Sequence, residues 1–487
     1  RDSSTSRGLG DVYKRQVVAI LITNFYDLIE HTCSAIQTFE KRKNKRSERE
    51  QKGFELAVKH ILELLWKSHQ SYPYRLPKIN LNGNFYRSSN RYKEEGLTYR
   101  HLIENVYQPL QKMGWIKEYR KGYNDRAGEG NSDITWFRPS RSLKMTLESL
   151  EGHSSITIKP DLTRECIILR DAKGKNVPDY KDTAVTRVMR DNLVAINEFY
   201  QKHHIDLRIK DTDYKKLSCE LLQKKKTNRR QRQRQLDFSR KVLARIFNDG
   251  KWGVGGRFYY GWWQEIPKGY RKYITIDEGF TTELDYSALH PHIVYYQNDL
   301  EMGTIDPYTL ILLVGKIELN EVNRNIIKQV FNAMLNATRV MIRQPRGLDL
   351  KPLKKKWGEI VPIVLQAHHE IQHMFFKGYG GLLQYEDSCI AEDVMLAGMK
   401  ENIVCLPVHD SFRVRRQHEN FLRKTMMASF FKRWRKIPKM KEGDLIQPYD
   451  YYDEEGNPRT EEIAKEDRLY SKWYDRNVLW MHREIKG

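Results

Sequence analysis

Apolar and polar positions alternate with different periods along the chain. In 97–116, LTYRHLIENVYQPLQKMGWI, apolar residues recur three and four apart, which predicts a helix; 115–140, WIKEYRKGYNDRAGEGNSDITWFRPS, reads as two strands around a loop of Gly, Asn and Asp. A helix followed by a basic hairpin is the winged-helix order. Such modules place the helix in a groove of duplex DNA and the hairpin on its backbone, and the same shape also serves protein contacts. The longest apolar run, VVAILITNFYDLI at 17–29, contains Asn, Tyr and Asp and predicts a buried helix rather than a membrane span. From about 240 onward, aromatic and glycine-rich segments alternate with longer helical patterns, the texture of a second large domain. There, TTELDYSALH follows a glycine turn at DEGF and predicts a strand with Asp285 near its end, before Pro291 interrupts the ladder. VNRNIIKQVFNAMLNATR has helical period and puts Arg324 and Lys328 on one face. ENIVCLPVHDSFRVRRQ predicts a hairpin whose turn presents Asp410. The pattern is that of an α+β, multidomain protein, divided as 1–16, 17–150, 151–245 and 246–487.

Composition narrows the partner. The 487 residues carry 85 Lys and Arg against 63 Asp and Glu, a net charge of +22, and a chain so basic points to a polyanion, because each neutralised phosphate releases counterions. Nucleic acid is the expected partner and a membrane is not. The basic run KKKTNRRQRQRQ, with Lys224, Lys225, Lys226, Arg229 and Arg230, is expected to contact phosphates, its plainer reading being a solvated face; EKRKNKRSEREQK at 40–52 is a second such run. Five scattered cysteines form no CxxC pair, so neither a zinc ribbon nor a disulfide framework is indicated and a reducing cytoplasm fits. Residues 1–16, RDSSTSRGLGDVYKRQ, have no apolar period and read as a non-native leader.

The candidate chemistry lies in the second half. Two strand-borne aspartates, Asp285 and Asp410, could converge on one sheet and hold two divalent cations, Mg²⁺ or Mn²⁺, as phosphoryl transfer requires. The intervening helix offers the complementary charge, Arg324 for phosphate oxygens and Lys328 for a pyrophosphate leaving group. A different class is signalled by HHEIQH at 368–373, where His369, Glu370 and His373 have the HExxH spacing of a zinc metalloprotease and Glu392 follows as a third ligand. Such a hydrolase accounts for neither the basic charge nor the aspartate pair. A third class is a non-catalytic DNA-binding replication protein, although a scaffold has no need of a self-repelling carboxylate pair.

Five segments in order over residues 250 to 435 resemble family A DNA polymerases. DYSALHPHI is similar to their motif A, RNIIK to the Arg-x-x-x-Lys of motif B, and VHDS to the Val-His-Asp-Glu of motif C; GGRFYYGWWQEIP and LLQYEDSCIAEDVM resemble the flanking Gly-Arg stretch and Gln-bearing helix. The resemblance implies a right-hand fold of palm, fingers and thumb behind a winged-helix-like module, with a thumb-like region at 151–245. It implies Asp285 and Asp410 as metal ligands, Arg324 and Lys328 on the fingers, and Arg257, Gln264, Gln384 and His409 on primer, template or product duplex. It further implies a DNA primer-template and dNTPs; no Asp-x-Glu exonuclease signature stands out in the N-terminal half, so no proofreading is expected. Three departures leave RNA or rNTPs open, as in an RNA polymerase, a primase or a template-independent terminal transferase. His290 replaces a motif A glutamate, Asn336 replaces a motif B tyrosine, and Ser411 gives the His-Asp-Ser of single-subunit RNA polymerases. KQVFNAM also resembles the family B Lys-x-x-x-Asn-Ser, which brings Asn332 to the nucleotide alongside His290 and Asn336. A compact enzyme of this kind suits a plasmid, phage or other mobile element.

Overall fold

The computed structural model describes residues 25–69, 76–87, 91–92, 97–122, 134–151, 162, 164–222, 236–445, 469–473 and 476. It is a mixed α+β fold with two large apolar cores. The first core belongs to the N-terminal residues. Helix Glu48–His69 opens with Glu48 and Glu50 and has Lys67 in its last turn, charges that complement its dipole. Its stripe of Phe54, Ala57, Val58, Ile61, Leu62, Leu65 and Trp66 is buried, three and four residues apart. It packs against the helical stretch Arg100–Tyr107, which Gln108–Lys112 continues. Strands β1 (Lys78–Ile79), β2 (Ile116–Arg120) and β3 (Thr135–Pro139) pair antiparallel in the order β1-β3-β2. A helix followed by a hairpin is the order the apolar pattern predicts here. Lys117, Arg120 and Arg138 lie on the exposed side of that hairpin. Of the apolar run at 17–29, residues 25–29 belong to helix Phe25–Glu40, whose Leu28, Cys33 and Ile36 enter this core.

The second core runs from Cys166 to Phe430. Strands β4 (Ile167–Leu169), β6 (Ala244–Phe247) and β7 (Gly255–Tyr259) form one sheet, with β6 parallel to β4 and antiparallel to β7. Between them in the chain lies β5 (Ile205–Leu207). Strands β8 (Ile274–Ile276), β9 (Gly279–Tyr286), β10 (Leu406–Val408), β11 (Ser411–Arg415) and β12 (Met440–Glu442) complete a second, antiparallel sheet of order β10-β11-β9-β8-β5, with β12 beside β9. The division expected at 245/246 falls inside β6. Helix Ala184–Gln201 explains why: it turns Met189, Leu193, Ile196, Phe199 and Tyr200 into the same core as the later strands.

Two faces of β9 follow from its period of two. Leu284 and Tyr286 are buried on one, where the Tyr286 hydroxyl donates to the Met426 carbonyl at 2.7 Å and its ring meets Phe430. Thr281, Glu283 and Asp285 take the other. The strand ends at a turn in which Ala288 has a left-handed φ of 48°. Pro291 is therefore not what interrupts the ladder. It lies in the first turn of helix Leu289–Gln297, where a backbone N–H has no helical partner to lose. No described helix is long and apolar enough to cross a membrane.

Candidate active site

The hairpin β10–β11 closes with Val408 opposite Ser411, leaving His409 and Asp410 as its two turn residues. His409 takes a φ of 62°, a left-handed conformation that His tolerates better than bulky or branched residues. Ser411 in turn stands opposite Asp285 on β9. That register sets Asp410 beside Asp285 at the end of the sheet. Burial and then the charge of Asp410 push the Asp285 carboxyl up to about 6, against the pull of Lys441. Lys441 is the residue opposite Asp285 on β12, with its Nζ 3.0 Å from Asp285 Oδ2. The other oxygen, Oδ1, is buried with no hydrogen-bond partner. Two carboxylates that repel each other, one with an orphaned oxygen, are the hard donors that a Mg²⁺-class cation takes. Asp285 and Asp410 would hold it. Among the described residues no group of three or more His, Cys, Asp or Glu side chains is placed to hold a metal ion.

Beneath Asp285 the same face of the sheet carries a buried ionic layer that sequence reasoning did not find. Arg413 Nη2 pairs with Glu283 Oε2 at 2.7 Å, and its Nη1 donates to Thr281 Oγ1 at 3.0 Å. Ser411 Oγ donates to Glu283 Oε1 at 2.8 Å. So Ser411 is a support for Glu283. The signal was present in the period: Glu283 is two residues before Asp285, and Arg413 stands opposite it.

Arg257 reaches the site from β7. Its guanidinium forms a fork with the buried carboxylate of Asp387, with Nε 3.0 Å from each oxygen and Nη2 on Oδ2. His290 Nε2 also contacts Asp387 Oδ2, at 2.9 Å. Burial alone would raise the Asp387 carboxyl, and the hydrogen bonds from His290 and Arg257 hold it below its ordinary value. This approach depends on Gly256, where a φ of 80° and contacts of 2.9 Å from a notional Cβ to Phe247 and Ser388 leave no room for a side chain. Asp387 was not anticipated, although it lies one helical turn after Gln384 on helix Gly380–Lys400. Arg257 is thus held in an ion pair with Asp387. Gln264 is similarly engaged: its Nε2 donates to the Phe258 and Pro407 carbonyls, both at 3.0 Å. His409 is exposed and meets the Tyr259 ring edge-on at 5.8 Å. Gln384 is half-buried.

Helix Glu321–Asn336 forms as its period predicts, capped by Asn320, whose side chain accepts from the Asn323 amide. Arg324 is bidentate to Asp306, with Nε 3.1 Å from Oδ1 and Nη2 2.7 Å from Oδ2, and lies over the Tyr308 ring. Burial, then the charge of Asp306, push the Tyr308 phenol up, against the pull of Arg324. Lys328 is exposed on the same helix. Asn332 is half-buried and its carbonyl accepts from Asn336 Nδ2 at 2.7 Å. Asn336 Oδ1 also presses on Gly380, where a Cβ would collide with it.

The zinc reading does not survive. His369–Met374 is a 3₁₀ turn, in which residues four apart do not share a face. His373 contacts Asn298, and Glu392 is occupied by Arg245 at 2.6 Å and Asn192 at 3.1 Å. Lys224, Lys225, Lys226, Arg229 and Arg230 lie outside the described residues, as do residues 1–16. No protein-family model and no curated protein matches the chain.

Proposed function

We propose that this protein is a nucleotidyltransferase that extends a DNA strand from dNTPs by two-metal-ion catalysis, with β9, β10 and β11 as the palm and helix Glu321–Asn336 as the fingers. The observation that carries this reading is the register that sets the Asp410 turn beside Asp285, with one carboxylate oxygen buried and unpartnered. Bound there, two Mg²⁺ or Mn²⁺ ions would lower the charge cost at the attacking 3′ oxygen and at the leaving pyrophosphate. Arg324 and Lys328 present cations for the triphosphate, Arg324 exchanging its Asp306 fork for phosphate oxygens. His290, braced by Asp387, is the side chain assigned to the sugar. The net charge of +22 and the exposed basic hairpin of the N-terminal module supply the affinity for a polyanion. The test is an extension assay with dNTPs and rNTPs, with and without primed template. Asp285→Ala and Asp410→Ala should each abolish incorporation and leave DNA binding nearly intact, since phosphate contacts lie mainly elsewhere. Near wild-type extension by either variant would overturn the assignment.

A further inference from the structure

Lys441 has no counterpart in any of the motifs that point to the site, yet it makes the one ion pair that Asp285 has among the described residues. We infer that Lys441 is a positioning residue: its ammonium stands in for a divalent cation at Asp285 and thereby sets how much cation the site requires. The inference rests on the aspartate pair being a metal site.

Three features distinguish this contact from an incidental surface pair. The backbone under it is fixed, because Lys441 is directly opposite Asp285, the Ser287 amide donates to the Lys439 carbonyl at 2.8 Å, and the Gly443 amide donates to the Glu283 carbonyl at 2.8 Å. The ammonium is not fixed, since the Lys441 side chain is 53% exposed on a flexible stem and can swing out to water. And it contacts only Oδ2, leaving Oδ1 buried without a hydrogen-bond partner. Glu442, the next residue, faces away and pairs with Arg423 at 2.7 Å. The result is a carboxylate kept in place by a cation that must yield or share when a stronger one arrives. Without Lys441 the metal-free site would be a more negative and less ordered pair of carboxylates, and a divalent ion would meet less competition.

The experiment is a direct Mn²⁺ titration of the full chain, read by the loss of the free-ion electron paramagnetic resonance signal, with no nucleotide or DNA present. Lys441→Met, which keeps the stem and removes the charge, should lower the half-saturating Mn²⁺ about tenfold at low ionic strength, the gap shrinking as salt is added. Lys441→Arg, which keeps a cation, should stay within about twofold of wild type, and Asp410→Asn should bind far more weakly. If Lys441→Met titrates like wild type while Asp410→Asn weakens binding, the inference falls and the metal site stands. If none of the proteins binds Mn²⁺, both fall together.

Discussion

Asp285 should cost the metal-free protein stability, and the cost can be measured through its pH dependence. Its side chain is one-quarter exposed, and burial together with Asp410 moves its carboxyl from 3.8 to about 6. Between those values the folded protein holds a proton that the unfolded chain has released, so stability falls as pH rises through that window and stays low above it. A carboxyl displaced that far gives up about 3 kcal/mol once both states are ionised. Asp285→Asn removes the titration while keeping shape and volume. In the presence of a chelator the variant should be more stable than wild type by about 3 kcal/mol at pH 8 and by roughly half as much at pH 5. The pull of Lys441 is already contained in that figure. In thermal melts the larger body should unfold roughly 6 °C higher in the variant at pH 8. Adding Mg²⁺ should narrow the gap, because only the wild type gains a ligand for its native state. A variant no more stable than wild type at pH 8, or a gap that does not change with pH, would refute the account of a destabilised carboxylate at this position.

Asp387→Ala leaves the Arg257 guanidinium buried without its carboxylate and should destabilise the fold by about 3–5 kcal/mol in urea titration, whereas Asp387→Asn should lose less. Lys328→Ala, at an exposed position that packing does not use, should lower the extension rate by about 10²-fold or more with template affinity nearly unchanged. His290→Ala should raise the ratio of ribonucleotide to deoxyribonucleotide incorporation, and an unchanged ratio would remove His290 from sugar selection. Asp387→Asn should shift the same ratio in the same direction if bracing by Asp387 is what holds the ring in place.

The local elements were legible because each carries its own period. The helix bearing Arg324 and Lys328, the strand ending at Asp285 and the hairpin presenting Asp410 are all written in apolar spacing over a dozen or so residues. The convergence of the two aspartates was legible only as a requirement of the chemistry. The tertiary structure decided it, through the pairing of Ser411 with Asp285 across residues far apart in the chain. The same limit explains what was missed. Asp306, Asp387, Glu283 and Lys441 are ordinary charged residues in sequence, and each becomes part of the site only because a partner arrives from another element. It also explains what was misassigned. HExxH fixes spacing but not helix type, and the 3₁₀ turn at His369–Met374 separates the two imidazoles. Arg257 and Gln264 look open to a ligand in sequence; in the fold Arg257 pairs with a buried carboxylate, and Gln264 donates its Nε2 to two carbonyls while its Oε1 is buried without a partner. Periodicity records which face of an element is buried. Which charged groups meet across the gap depends on register and close approach, and these are set by packing among segments that carry no mark of one another in the sequence.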